Sequence, residues 1–127
     1  MKKVISTAEA PEAVGPYSQA IAFGNLLFCS GQIPLVPETG ELVAGDTGAQ
    51  AEQVLKNLGA VLHANAMTFA NVVKTTVFLT DLGDFAKMND VYAKFFTKPF
   101  PARSTIQVSA LPKGANIEIE AIAIRSE

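Results

Sequence analysis

The sequence predicts an α+β fold with a six-stranded, mostly antiparallel sheet and two helices on one face. Six short segments are rich in the branched and aromatic residues typical of strands. Only two segments carry the apolar stripe of an amphipathic helix. Two helices can cover only one face of such a sheet, so we expect a partner to cover the other face.

The first three strands are predicted near the amino terminus. Lys3–Ser6 is short and is followed by a loop punctuated by proline and glycine. Ser18–Phe23 and Leu26–Ser30 are apolar runs separated only by Gly24 and Asn25, a two-residue hairpin signal. The chain therefore begins with an antiparallel hairpin.

A loop and then the first helix follow. Prolines and glycines over residues 34–48 predict an exposed loop with at most a small hairpin. Thr47 and Gln50 have the spacing of a capping box, and the helix is expected to end near Asn65. Its apolar stripe consists of Ala51, Val54, Leu55, Leu58, Val61 and Leu62.

The next strand and helix follow the same logic. Val72–Leu79 is β-branched and predicts a strand. Asp81 or Asp84 can cap a second helix, which Pro99 and Pro101 would end. The apolar face of that helix consists of Phe85, Met88, Val91, Tyr92 and Phe95.

Two more strands complete the predicted sheet. Arg103–Val108 is the fifth strand, Leu111–Gly114 is a turn, and Ile117–Arg125 is the sixth strand. The pattern contains no internal repeat or linker, and 127 residues suit a single domain spanning 1–127.

Composition narrows the classes of function. The chain is 49% hydrophobic and only 17% charged, which favours an oligomer with buried contacts. Its net charge is −2, and it has no lysine and arginine cluster beyond Lys2 and Lys3, so nucleic acid is not an expected partner. No apolar run approaches a membrane span or a signal peptide, and the single Cys29 suits a reducing compartment. We therefore expect a cytoplasmic protein with no membrane partner.

The closing strand carries the residues that point to chemistry. Side chains alternate along a strand, so Glu118 and Glu120 share a face with Ile122 and Ile124. Carboxylates on such a face are partly dry and favour a nearby cation, for which Arg103 is the candidate. The arrangement predicts a site where Arg103 binds a small carboxylate and a glutamate of raised basicity acts on the adjacent carbon.

Other chemistries have less support. His63 is the only histidine and lies off the apolar stripe of its helix, so we expect an exposed residue. Cys29 lies within a strand and is expected to be a small buried hydrophobe. Metal-ligand spacings and Ser/His or Cys/His machinery are therefore poorly supported, and we expect no metal.

Four spaced motifs resemble a known family along the whole chain and in the same order. They are Gly15-Pro16-Tyr17-Ser18-Gln19-Ala20, Ser30-Gly31-Gln32-Ile33-Pro34, Phe100-Pro101-Ala102-Arg103-Ser104 and Ile117-Glu118-Ile119-Glu120-Ala121. Together they closely resemble the reactive-intermediate deaminase A family, also called the RidA or YjgF family, some members of which are labelled endoribonuclease or translation inhibitor.

The resemblance implies a fold and an activity. The fold would be chorismate-mutase-like and assembled as a homotrimer with clefts between subunits. The activity would be hydrolysis of enamine and imine intermediates, such as 2-aminoacrylate, 2-iminopropanoate and 2-iminobutanoate, to 2-keto acids and ammonia. No cofactor would be needed, since the imine is already electrophilic.

The resemblance also implies roles for individual residues. Arg103 would bind the substrate carboxylate, and Glu118 would orient or deprotonate the attacking water. The cleft wall would include Tyr17, Ser30, the backbone of Gly31, and Asn89 from the second helix; the role of Glu120 stays open. Two rival functions also stay open: an RNA-cleaving or translation-inhibiting protein, and a non-catalytic trimer that binds 2-keto acids.

Overall fold

Six strands form one mixed sheet in the computed structural model, which describes residues 1–126. The strands are β1 (Lys3–Ile5), β2 (Ala20–Phe23), β3 (Leu26–Gln32), β4 (Val72–Leu79), β5 (Ala102–Gln107) and β6 (Ile117–Ile124). Their order across the sheet is β1-β2-β3-β6-β4-β5, and only the β4–β5 pair is parallel. The predicted α+β class and mostly antiparallel sheet are confirmed.

The predicted strands differ from the observed strands at their ends. β4 has the predicted bounds, whereas β2 begins two residues later than predicted and β3 continues two residues further, to Gln32. The pairing of β3 with β6 shifts between Cys29 and Gln32, which marks a bulge. Gly31 lies inside this bulge, and a glycine within a strand often marks one. The prediction ended the strand before Gly31, whereas β3 continues through the bulge to Gln32.

The first helix, α1 (Thr47–Ala64), is capped differently from the prediction. Asp46 is its N-cap, and Asp46 Oδ1 accepts a hydrogen bond from the Ala49 amide at 3.1 Å. The predicted capping box of Thr47 and Gln50 is wrong because both side chains have other partners. Thr47 Oγ1 donates to Asp84 Oδ2 at 2.6 Å, and Gln50 Oε1 accepts from the Asn116 amide at 2.8 Å.

The second helix, α2 (Phe85–Tyr92), is shorter than predicted. A 3₁₀ turn over Leu82–Asp84 precedes it, and the Asp81 side chain caps that turn rather than α2. The helix ends well before Pro99 because the chain leaves Tyr92 in tight turns, with the Phe95 amide bonded to the Tyr92 carbonyl at 3.0 Å. Phe95 therefore lies outside the helix, where it packs on Phe69.

The two faces of the sheet have different surroundings. The buried face lies against the helices, and β6 contributes Ile117, Ile119, Ala121 and Ala123 to it. The opposite face, here called the open face, is not covered by the helices. Its exposed apolar side chains are Val4, Phe23, Phe28, Ile106 and Ile124. The expectation that two helices cover only one face is confirmed.

Gln19 ties the loop before β2 to the rest of the fold. It is 4% exposed, and its Nε2 donates to the carbonyls of Thr7, Ala10 and Pro11 at 3.0, 3.3 and 2.7 Å. Its Oε1 accepts from the Thr7 amide at 2.7 Å. A single buried amide therefore satisfies four backbone groups of an otherwise irregular segment.

None of the helices within residues 1–126 is long and apolar enough to cross a membrane.

Replacing Gln19 with leucine should destabilise the protein more than the loss of one hydrogen bond would. Gln19→Leu leaves the backbone groups of Thr7, Ala10 and Pro11 without their partner, at a cost of about 2 kcal/mol or more in the free energy of unfolding. Urea unfolding at fixed protein concentration measures the change. Gln107→Leu is the control, since that side chain makes one exposed bond. Equal effects of the two substitutions would contradict this role of Gln19.

Candidate functional site

Glu118 lies on the open face at the centre of the sheet. It stands opposite Phe78 of β4 and is half-buried. Burial raises the pKa of the Glu118 carboxyl above its ordinary value, and the negative charge of Glu120 raises it further. A carboxylate in this environment is more basic than one in water.

Arg103 lies on β5 and is also half-buried, but it faces the helices. Its guanidinium carbon lies 4.8 Å from the ring centroid of Tyr92 and 5.5 Å from that of Phe85. Both aromatic residues belong to α2, and the Tyr92 hydroxyl bonds to Thr75 Oγ1 on the buried face of β4 at 2.7 Å. Among residues 1–126, Arg103 forms no salt bridge with a carboxylate.

Arg103 and Glu118 therefore lie on opposite faces of the sheet within one chain. Arg103 of β5 pairs with Thr75 of β4, whereas Glu118 of β6 pairs with Phe78, which lies three residues further along β4. An odd separation along a strand means opposite faces. The expectation that Arg103 shares a pocket with the glutamates is wrong for a single chain, because β4 separates β5 from β6 and the two side chains leave the sheet in opposite directions.

Arg103 borders a cavity of about 340 Å³. Its lining consists of Asn89, Tyr92, Ala93, Phe100, Pro101 and Arg103. Asn89 is half-buried on α2 and lines the same cavity, so the structure places this predicted residue beside Arg103. The cavity combines an apolar wall with one cation and one amide, which are the groups that bind a small carboxylate.

Tyr17 and Gly31 border a second groove, of about 410 Å³. Tyr17 is 54% exposed and follows a tight turn at Gly15, whose φ of +122° favours glycine. Ser30, just before Gly31, donates its hydroxyl to the Ser18 carbonyl at 2.6 Å. Gly31 thus borders this groove with Tyr17 and also lies against Glu118, whereas Arg103 and Asn89 line the other cavity.

Cys29 and His63 have the surroundings that the sequence predicts. Cys29 is buried, and burial raises its pKa to about 12, so its thiol stays protonated near neutral pH and is a poor nucleophile. His63 is exposed near the end of α1. The expectation that both glutamates are partly dry is wrong for Glu120, which is exposed because no helix covers the open face; there it borders a cavity with Lys74 and Thr76.

Sequence reasoning missed the support beneath Arg103. Tyr92 is predicted only as part of an apolar helix face. In the structure its ring stacks on that of Phe96, with 4.3 Å between the ring centroids, and also contacts the Arg103 guanidinium. Its hydroxyl is satisfied by Thr75, so the ring has little freedom to rotate away. The signal in the sequence is weak: a tyrosine rather than a phenylalanine at a buried position indicates a nearby polar partner.

Comparisons with known proteins match nearly the whole chain. Residues 7–125 match the family described as Endoribonuclease L-PSP. The chain is 56% identical over 122 residues to Reactive Intermediate Deaminase A, chloroplastic, of Arabidopsis thaliana, covering 96% of this chain and 65% of that longer protein. It is 51% identical over 125 residues to human 2-iminobutanoate/2-iminopropanoate deaminase, covering 98% and 91% of the two chains.

A solved structure carries a ligand. The crystal structure of Escherichia coli TdcF with bound serine superposes with a TM-score of 0.92 and 47% sequence identity. The superposition covers 98% of this chain and 99% of TdcF.

Tyr92→Leu should weaken binding of a small carboxylate without unfolding the protein. The substitution removes the aromatic surface under Arg103, and loss of a cation–π contact corresponds to roughly 2- to 30-fold in affinity. Titration with pyruvate, followed by NMR, measures the change. Tyr92→Phe is the matched control: it keeps the ring, loses the bond to Thr75, and should retain affinity while losing stability. Equal affinities of wild type and Tyr92→Leu would show that the ring does not support Arg103.

Proposed function

Because this chain belongs to the Endoribonuclease L-PSP family, and within it matches reactive intermediate deaminases along nearly its whole length, we propose that it hydrolyses reactive 2-imino acids. The substrates are 2-iminopropanoate and 2-iminobutanoate, together with enamines such as 2-aminoacrylate that tautomerise to them. The products are 2-keto acids and ammonia. The observation that carries the proposal is a half-buried cation beside a cavity, Arg103, together with a half-buried carboxylate of raised pKa, Glu118.

The active site is proposed to form between subunits. Within one chain Arg103 and Glu118 lie on opposite faces of the sheet, so a site that uses both must take them from different copies. The open face supplies the reason to assemble, because it exposes a contiguous set of apolar side chains. The assembly is a homotrimer of the chorismate-mutase-like kind, in which each subunit gives Arg103 to one cleft and Glu118 to another.

Substrate binding depends on Arg103 and its surroundings. The planar guanidinium donates two parallel hydrogen bonds to the carboxylate, which fixes the orientation of the adjacent C=N carbon. Asn89 lies beside Arg103 and can bond the same carboxylate. Tyr17, Ser30 and the Gly31 backbone are proposed to form the wall on the Glu118 side, where the imine would lie. In support, Tyr17 and Gly31 border one groove, and Gly31 lies against Glu118.

Glu118 is proposed to act as the general base. It takes a proton from a water molecule as the water oxygen bonds to the C=N carbon, and it passes that proton to the imine nitrogen. The C–N bond of the resulting tetrahedral adduct then breaks: Glu118 carries the hydroxyl proton to the nitrogen, which leaves as ammonia, and the hydroxyl oxygen becomes the keto oxygen. Holding water and carbon in near-attack geometry is worth up to ~7 kcal/mol, and a general base adds roughly 10²- to 10⁴-fold. The step balances with water alone as co-reactant.

The two rival functions differ in what they require. RNA cleavage needs cations along a phosphate backbone and an acid/base pair, whereas the net charge is −2 and His63 is an exposed helix residue. A non-catalytic 2-keto acid binder needs Arg103 but has no use for a carboxylate of raised basicity. The net charge and the exposed His63 therefore disfavour RNA cleavage, and the raised pKa of Glu118 favours hydrolysis over binding alone.

Competition with a chemical trap tests the proposed activity. An imine-generating enzyme is coupled to semicarbazide, and wild type should suppress semicarbazone formation. Arg103→Ala should lose nearly all suppression because it cannot bind the carboxylate. Glu118→Gln should lose about 100-fold or more in rate while still binding a keto acid, because it keeps its shape and loses its basicity.

Two results would favour the rivals, one from this experiment and one from an RNA cleavage assay of the same proteins. Unchanged trapping with all three proteins, accompanied by keto acid binding, would identify a non-catalytic binder. RNA cleavage by wild type that Arg103→Ala abolishes would identify a nuclease, whereas cleavage that persists in Arg103→Ala and disappears on further purification would come from a contaminant.

The pH profile distinguishes the two glutamates. A general base must be deprotonated, so kcat should fall as the pH drops through the pKa of Glu118, which burial and then Glu120 raise above the ordinary 4.5. Glu120→Gln removes the repulsion and lowers that pKa, so the acidic limb should move to lower pH while kcat near neutral pH stays within about twofold. Loss of activity at all pH values in Glu120→Gln would instead make Glu120 the base.

A further inference from the structure

The position of Glu118 depends on an irregularity in the neighbouring strand. β3 pairs with β6 through Cys29 and Ala121, and pairs again through Gln32 and Ile119. Three steps along β3 therefore match two steps along β6, so β3 has one extra residue here. Gly31 lies in this extra length, directly beside the side chain of Glu118.

Gly31 leaves space that the Glu118 carboxylate fills. A Cβ atom built on Gly31 would overlap Glu118 Oε2 and would lie 2.7 Å from Cδ and 3.0 Å from Cγ. The backbone of Gly31 lies outside the left-handed region, so its conformation alone does not require glycine. Glycine is needed at this position for space rather than for backbone freedom.

The strand on either side of Gly31 is fixed. The Ser30 amide donates to the Gln19 carbonyl at 2.9 Å, and the Ser30 hydroxyl donates to the Ser18 carbonyl at 2.6 Å. Gln32 on the other side is 6% exposed. Because β3 cannot easily move, a side chain at residue 31 would displace the flexible end of Glu118 instead.

We infer that Gly31 is a positioning residue: because it has no side chain, the Glu118 carboxylate can lie half-buried against β3 and point into the cleft. The catalytic part of this inference rests on the proposed function of Glu118. The geometric part stands without it. Gly31 thus has a second role beside that of its backbone in the cleft wall: it determines where the base lies and how dry it is.

The surroundings of Glu118 make this position important for its basicity. The charged side chains on the open face nearest to it in the sheet are Glu120 on β6 and Lys74 on β4, and β3 contributes only uncharged residues. Burial is the main reason that the pKa of Glu118 is raised, ahead of the charge of Glu120. A displaced, hydrated Glu118 would lose the part of this pKa increase that burial causes and would become a weaker base.

Gly31→Ala tests the inference. The protein should fold, kcat should fall by about 100-fold with KM little changed, and the acidic limb should move to lower pH, because the base is both displaced and hydrated. NMR of ¹³C-labelled glutamate carboxyls, with Glu118→Gln for assignment, should show a lower pKa for Glu118. Gly48→Ala is the control, since residue 48 also has an ordinary φ and its added Cβ would meet nothing closer than 3.3 Å.

A double-mutant cycle keeps the test decisive if Gly31→Ala folds poorly. In a Glu118→Ala background the carboxylate is gone, so adding Gly31→Ala should cost no further stability. An equal loss of stability in both backgrounds would overturn the inference, as would a Gly31→Ala variant with the wild-type kcat and Glu118 pKa. Failure of the proposed function looks different: wild type would hydrolyse no imine, while the NMR and stability measurements would still report on Gly31.

Discussion

Alternation of side chains along a β-strand is the constraint on which the rest of this structure depends. β4 lies between β5 and β6, and its Thr75 and Phe78 fix the faces to which Arg103 and Glu118 point. Two steps across a sheet cover roughly 10 Å, and the two side chains then diverge. No rotamer change brings them together. A site that needs both an anion-binding cation and a base must therefore use two copies of the chain.

The two faces of the sheet contribute differently to this arrangement. On the helix-covered face, Arg103 packs on the ring of Tyr92 within one chain. That ring is fixed by its hydrogen bond to Thr75 and its stacking on Phe96. The open face places Glu118 over Gly31 and leaves large apolar side chains such as Phe28 exposed. The same face therefore carries both Glu118, the proposed base, and an exposed apolar surface, so the proposed function couples formation of the site to association of subunits.

Local patterns in the sequence predict most of the fold. The β-branched run of β4, the Gly24-Asn25 turn and the apolar stripe of α1 each depend on neighbours in sequence, and each is confirmed. Features that depend on distant contacts are not predictable in this way. Asp46 rather than Thr47 caps α1 because Thr47 is bonded to Asp84, 37 residues away.

The candidate site divides along the same line. Arg103, Glu118 and Asn89 can be chosen from motifs and chemistry, but the faces they occupy depend on how β4 pairs with both of its neighbours. The roles of Tyr92 and Gly31 depend on contacts between α2 and β5 and between β3 and β6. In a sequence, Tyr92 looks like a core residue and Gly31 looks like a strand end.

Subunit complementation tests the central claim most directly. Arg103→Ala and Glu118→Gln proteins, each expected to be nearly inactive alone, are unfolded and refolded together so that mixed oligomers form. If each site takes Arg103 from one copy and Glu118 from another, about one quarter of the interfaces in randomly mixed rings have both residues intact, and activity returns to about that fraction of wild type. Mixed oligomers, identified by native mass spectrometry, that remain as inactive as either parent would contradict the account.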